Sequence, residues 1–379
     1  MADIHMTLNR RRFLIHSSLL AAASPLSCQV FAEARNGLKD AFKDRFLIGT
    51  AVNDALTRGD HADLTEIVKR NFSSITPENA LKWERLRTND GGWKWTDADN
   101  FVAFGQQHKI HSVGHCLAWH SQIPDSVFKT AKGSYIKPAQ LRTKMTEHIT
   151  TLVSRYKGKL ADWDVVNEAV GDDNVMRKSH YFKILGEQFI DHAFNLAHEV
   201  DPNAHLLYND YNIEKDGKRE AALALLQRLK KRGVPIQGVG IQAHISIDGP
   251  SIADIEKSIE AYAKLGLRIS FTELDIDVLS REWDSPTADI ATKFDYTPER
   301  DPYIKGMTKE RNEQLSARYE SLFKLFIKHK DKIDRVTFWG ISDDTTWLND
   351  FPIKGRTNHP LLFDRTHQPK DVYFRLLQL

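Results

Sequence analysis

Glu168 and Glu273 each close a short apolar run, Trp163-Asp164-Val165-Val166-Asn167-Glu168 and Ser270-Phe271-Thr272-Glu273. A carboxyl that keeps its proton beside one that has lost it is the pair that cleaves a glycosidic bond. The first protonates the leaving oxygen and the second attacks the anomeric carbon, the two standing roughly 5–5.5 Å apart when configuration is retained. The two negative charges repel, which helps to keep the acid protonated. From spacing alone, two ordinary surface glutamates account for the pattern equally well.

Other polar and aromatic residues gather at the ends of similar runs. Thr76-Pro77-Glu78-Asn79 is followed by Lys82 and Trp83, and Gly114-His115-Cys116-Leu117-Ala118-Trp119-His120 ends another run. Tyr208-Asn209-Asp210-Tyr211-Asn212, Ile241-Gln242-Ala243-His244, Leu274-Asp275 and Phe338-Trp339, with Trp347 beyond, complete the set. A polar group in a dry core costs free energy unless it is paired. A wet, polar cleft across one end of a barrel is the economical explanation. Eight Trp, ten Tyr and nineteen Phe supply more flat rings than a core needs, and such rings stack on sugar faces.

The elements that must position these residues are legible as alternation. Apolar runs at 45–52, 72–76, 111–117, 161–167, 205–208, 238–243, 268–272 and 335–341 read as buried parallel strands. Amphipathic patterns at 97–108, 140–156, 181–199, 217–231, 251–265 and 309–329, with a last one at 370–379, read as the helices between and after them. Eight strand–helix repeats in 379 residues predict a single α/β domain, a (β/α)8 TIM barrel, over residues 35–379. Its active residues belong at the C-terminal strand ends, where strands four and seven face each other across the mouth. One long connection, 280–308, carries Trp283, Phe294, Tyr296 and Tyr303, and is expected to extend the cleft.

Composition excludes several alternatives. A net charge of +2 with acids and bases well mixed is not that of a nucleic-acid binder. No Gly-x-Gly-x-x-Gly or Walker lysine loop appears, so no nucleotide cofactor is expected. His115 and His120 are five apart and lack the His-Glu-x-x-His spacing of a zinc helix, so no metal is expected either. Only Cys28 and Cys116 occur, and Cys116 reads as a small buried hydrophobe.

Residues 1–34 read as an export signal, removed or disordered in the mature protein. Arg10-Arg11-Arg12-Phe13-Leu14 starts an apolar stretch too short to span a bilayer, and Arg10-Arg11-x-Phe13-Leu14 resembles a twin-arginine signal. Cleavage after Ala32 or Ala34 fits the small-residue rule. A basic tail is the bland alternative, and a lipoprotein signal ending at Cys28 is disfavoured by Pro25. The expected location is periplasmic or extracellular, with no membrane association after signal removal and a monomeric state.

Taken together, Trp163-Asp164-Val165-Val166-Asn167-Glu168-Ala169 and Thr272-Glu273-Leu274-Asp275 resemble the family-ten glycoside hydrolases, the retaining endo-β-1,4-xylanases. Supporting pieces are Thr76-x-Glu78-Asn79-x-x-Lys82-Trp83, Gly114-His115-x-Leu117-x-Trp119-His120-Ser121-Gln122 and Gly240-Ile241-Gln242-x-His244. Leu81 stands where Met is frequent in that family and Cys116 where Thr is common, neither of catalytic consequence. The resemblance implies Glu168 as acid/base, Glu273 as nucleophile and no cofactor. It implies Asn167 on the sugar 2-hydroxyl, His244 orienting Glu273, and Asp275 orienting His244. Glu78, Asn79, Lys82, His115, Trp119 and Gln242 would line the glycone subsites, with Trp339 and Trp347 as a wall that excludes a hydroxymethyl group. Tyr211 and Asn212 would contact the leaving-group side. The implied substrate is xylan or a xylo-oligosaccharide. The rivals are a β-1,4-glycan hydrolase or transglycosylase of broader specificity, and an inactive polysaccharide-binding barrel.

Overall fold

The computed structural model describes residues 37–88, 91–279 and 288–379. The expected export segment and Trp283 lie outside them. Nine strands occur among the described residues, in the order β1 Leu47–Val52, β2 Ser74–Pro77, β3 His111–Trp119, β4 Asp162–Asn167, β5 His205–Asp210, β6 Gly238–Ile241, β7 His244–Ser246, β8 Arg268–Asp277 and β9 Ile333–Phe338. Each neighbouring pair from β1 to β6 is parallel. β6 then pairs with β8, β8 with β9, and β9 with β1, so eight strands close into a barrel. Ile48, Ile75, Val165, Leu206, Val239, Ile269 and Val336 are fully buried along these strands. β-branched and aliphatic side chains of this kind suit strands covered on both faces.

The helices follow the expected stripes. Helix Lys309–Lys328 buries Leu315, Tyr319, Leu322, Phe323 and Phe326, a three-to-four spacing that keeps one face on the barrel. Its start is set by Thr308, whose side chain accepts from the Arg311 amide. The stretch expected as one helix over 181–199 is two, His180–Leu185 and Gln188–Val200. Gly186, at φ 62° and ψ −159°, breaks the run in an extended positive-φ conformation that glycine adopts without steric cost. The first crossover carries helices Asp54–Arg58 and Ala62–Asn71, and the last helix is Asp371–Leu376. No helix among the described residues is long and apolar enough to cross a membrane.

Trp163 lies inside the wall, fully buried, against the bare backbone of Gly114. A Cβ at Gly114 would sit 2.1 Å from the Trp163 ring, so only glycine admits the indole there. Trp83 stacks on His148 at 3.6 Å, away from solvent. Cys116 is buried and free.

Two departures from the expected strands shape the cleft. The sixth run does not continue to residue 243. Ala243 adopts φ 61°, which ends β6 at Ile241 and starts the short strand β7 beyond the rim. β8 correspondingly runs on past Thr272 to Asp277, because β7 pairs with it, His244 opposite Asp275. The β8–β9 register also shifts between Phe271 and Leu274, where two residues, Thr272 and Glu273, face one, Thr337. An irregularity of this kind re-aims a side chain, and the residue re-aimed is Glu273.

Candidate active site

The C-terminal strand ends surround a cavity of ≈ 280 Å³. Glu78, Asn79, Lys82, His115, Trp119, Asn167, Glu168, Gln242, His244, Glu273, Trp339 and Trp347 all line it, so most of the residues expected at the site meet in one place. Gln122, Ala288, Ile290 and Thr345 complete the lining.

Glu168 follows directly on β4. Its backbone is left-handed, φ 59°, a conformation that costs a non-glycine residue about 1–2 kcal/mol and clusters where function demands a sharp redirection. Its amide donates to the Asn209 carbonyl at 2.8 Å. The Trp119 indole N–H donates to Oε2 at 2.8 Å. Gln242 Nε2 and Asn167 Nδ2 donate to Oε1 at 3.1 and 3.3 Å. Burial pushes the Glu168 carboxyl above its usual range and the charge of Glu273 adds to this, against the opposing pull of Arg177, Trp119 and Gln242.

Glu273 has the opposite balance. Burial again favours its neutral form, but His244, His115 and Asn209 outweigh it and hold the carboxyl below its usual range. His244 Nε2 lies 3.2 Å from Oε2, and Asn209 Nδ2 donates to Oε1 at 2.8 Å. His244 Nδ1 lies 3.0 Å from Asp275, which also accepts from the Trp347 indole at 2.7 Å. Burial favours the neutral ring, yet Asp275 and Glu273 overcome it and raise the His244 pKa to about 10. The ring is therefore an imidazolium with an N–H on each carboxylate. Both nitrogens are spent on orientation, and His115 likewise gives Nδ1 to Asp164 at 2.9 Å. That donor arrangement holds carboxylates in place and is not a ligand set for a metal.

Asn209, on β5, joins the two halves. Its Nδ2 also donates to Asn167 Oδ1 at 2.9 Å, and its Oδ1 accepts from Thr272 at 2.6 Å. A Cβ at Gly240 would lie 2.3 Å from that Oδ1, so the neighbouring strand is bare where Asn209 must sit. Asn209 was visible at the end of the fifth run without an assigned role. The signal for it is the two-residue alternation of a strand, which sends its side chain to the opposite face from its neighbours.

On the other side, Lys82 Nζ donates to Gln122 Oε1 at 2.8 Å and lies 4.8 Å from the Trp119 ring centre. Glu78 is pushed up to about 7, chiefly by burial, with Lys82 opposing. Trp339 meets His115 edge-on at 5.4 Å, and Trp347 stacks on Phe351 at 4.4 Å. Tyr211 and Asn212 are placed differently from the rest. Tyr211 is fully buried, its hydroxyl accepting from Arg177 at 2.7 Å and donating to Asp172 at 3.0 Å. Asn212 turns at φ 58°, and neither residue lines the cavity. Arg177, Asp289, Ala288 and Ile290 had no sequence signal beyond the turn residues after Glu168 and the length of the loop after β8.

One buried carboxyl shifted upward and another shifted downward, in one cavity with aromatic walls, can deliver a proton and a nucleophile to opposite sides of one bond. The sequence profile described as Glycosyl hydrolase family 10 matches residues 37–379. The endo-1,4-beta-xylanase A of Xylanibacter ruminicola is 39% identical over 92% of this chain and 94% of its own length. An endo-1,4-beta-xylanase of Geobacillus stearothermophilus is 39% identical over 90% of this chain and 98% of its own. Among solved structures, a GH10 endoxylanase from a sugarcane soil metagenome superposes with a TM-score of 0.88 at 55% identity, over 90% of this chain and 99% of that one. The chain belongs to glycosyl hydrolase family 10.

Proposed function

We propose that this chain is a retaining endo-β-1,4-xylanase with Glu168 as acid/base and Glu273 as nucleophile. The observation that carries the reading is the opposite displacement of two buried carboxyls, Glu168 upward and Glu273 downward, in a single cavity. Glu273 attacks the anomeric carbon while Glu168 protonates the departing oxygen. A covalent glycosyl-enzyme forms, and Glu168, now a carboxylate, takes a proton from the water that displaces it. In this reading Asn167 meets the 2-hydroxyl of the sugar at the scissile bond, supported by the contacts that hold it to Asn209 and Gln242. Trp339 and Trp347 close the cavity wall near His115 and His244, which favours a sugar without a hydroxymethyl group. Xylan and xylo-oligosaccharides are the substrates this reading assigns.

Proton NMR of the first product released from xylan decides the stereochemistry. The β-anomer must appear before mutarotation, and an initial α-anomer overturns the reading. Parallel digests of xylan and cellulose should release sugar mainly from xylan. Comparable release from cellulose would favour the broader β-1,4-glycanase.

The pH dependence follows from the same two groups. Glu273 must be ionised and Glu168 protonated, so kcat/KM is bell-shaped. Its acid limb reports Glu273 and lies below the ordinary glutamate range, because activity is lost only as pH falls through the lowered value. Its alkaline limb reports Glu168 and lies above that range, activity falling as pH rises through the raised value. A profile with both limbs inside the range of a free glutamate contradicts the assignment.

Residues 1–34 are proposed to direct export to the periplasm or beyond, leaving a barrel that begins near residue 35. Edman sequencing of the exported protein should begin near Glu33 or Arg35. A chain that keeps Met1 would rule the signal out.

A further inference from the structure

We propose that Arg177 is a positioning residue for the reaction, fastening the backbone of Glu168 to the cavity-wall segment 288–290 through its ion pair with Asp289. The inference rests on Glu168 being the acid/base. Arg177 is nine residues beyond Glu168 but is returned to it by a tight reversal. The Gly171 amide donates to Val175 O at 2.7 Å, Val170 bridges Met176, and the Arg177 amide donates to Ala169 O at 2.8 Å. The guanidinium then spends its fork on three different elements. Nε donates to the Glu168 carbonyl at 2.9 Å, Nη2 to the Tyr211 hydroxyl at 2.7 Å, and Nη1 to Asp289 Oδ2 at 2.8 Å. The Arg177 side chain is only 13% exposed.

Asp289 stands between Ala288 and Ile290, both of which line the catalytic cavity. One planar cation thus holds the strained backbone of the acid/base and the far wall of the cleft in a fixed relation. A planar fork with several donors does this, whereas an ammonium makes a single point contact. The same cation is the strongest influence opposing the burial of Glu168. Asp289 draws part of that charge away. The other charged or titratable groups around the pair include Glu273, Lys82, Cys116, Asp210, Lys218, Asp172 and His120. His120 has a pKa lowered to about 4 by burial and Arg177, so it is neutral in the working range.

Removing either member of the pair therefore moves the Glu168 proton affinity in opposite directions. Arg177→Met raises it and Asp289→Asn lowers it, which a merely structural contact would not do. The test is 13C NMR titration of glutamate carboxyls, with Glu168 assigned by the resonance missing in Glu168→Gln, alongside the alkaline limb of kcat/KM on xylohexaose. Arg177→Met should move the Glu168 titration up by about one unit, and Asp289→Asn down by a fraction of that. Arg177→Lys should restore the titration while kcat stays reduced, since charge returns without the three-way geometry. A Glu168 titration that stays put in both charge variants overturns the proposal, and if Arg177→Met does not fold, Asp289→Asn decides alone. If the NMR titration moves and the kinetic limb does not, the coupling of Arg177 to Glu168 is real but Glu168 is not the acid, and both the assignment and the positioning role built on it fail.

Discussion

Glu273→Ala abolishes xylan hydrolysis, with kcat falling by at least about 10⁴-fold, roughly 5 kcal/mol in the barrier, on the scale of removing a catalytic nucleophile. The loss comes from the chemistry, because the variant still has the cavity walls and Glu168. Truncation leaves a space of carboxylate size beside the donors of Asn209 and His244. A small anion such as azide fits that space and those donors. It would attack an activated β-xyloside from the face that Glu273 occupied, giving the α-xylosyl azide. Deletion of the Glu273 charge also removes one of the influences that raise Glu168, so any residual alkaline limb shifts to lower pH. Product analysis by NMR checks both points. A variant that retains more than about a hundredth of wild-type kcat, or that yields β-azide, would place the nucleophile elsewhere.

Much of this site was legible because strand ends carry a strong signal. The runs expected at 161–167 and 268–272 mix buried apolar residues with polar ones, and Glu168 and Glu273 follow them directly. The barrel follows once eight such runs alternate with helical stripes. What stayed hidden depends on backbone torsion and on long-range return. Nothing in an alanine announces φ 61°, yet Ala243 ends β6 and turns His244 into register with Asp275. The bulge that aims Glu273 is a mismatch between two strands and exists in neither run alone. Arg177 and Asp289 are 112 residues apart in sequence and meet only because both flank the same cavity. Tyr211 follows β5 directly, and its buried ring lies 5.7 Å from the Arg177 guanidinium and does not line the cavity.

Left-handed backbone recurs at Glu168, Ala243 and Asn212, all at the ends of barrel strands. Each forces an abrupt change of direction where a strand would otherwise carry its side chains alternately in and out. Such strain persists only where surroundings over-determine it. At Glu168 the surroundings are the Asn209 carbonyl, the Arg177 guanidinium and the Trp119 indole, three contacts from three other segments. Rigidity at Glu168 is thus built from contacts distributed around the rim.

Glu168→Ala has an effect that depends on the leaving group. With xylan, whose departing oxygen needs a proton, the rate falls by about 10²–10⁴-fold. With a dinitrophenyl xyloside, whose leaving group departs unaided, formation of the glycosyl-enzyme stays within about tenfold of wild type. Its hydrolysis still requires a base, so the intermediate accumulates, seen as a burst of dinitrophenolate followed by a slow phase with a lowered KM. Azide, entering from the side that Glu168 vacates, relieves the slow phase and gives the β-xylosyl azide. In the proposed mechanism one carboxyl serves both steps, and its surroundings suit that. Burial and the charge of Glu273 favour its protonated form before attack. Attack turns Glu273 into a neutral ester, which removes that charge, while Trp119, Gln242 and Arg177 remain to stabilise the Glu168 carboxylate. Its proton affinity therefore falls when the mechanism needs a base. Equal losses on xylan and the dinitrophenyl xyloside, without a burst and without azide rescue, would show that Glu168 does not exchange this proton.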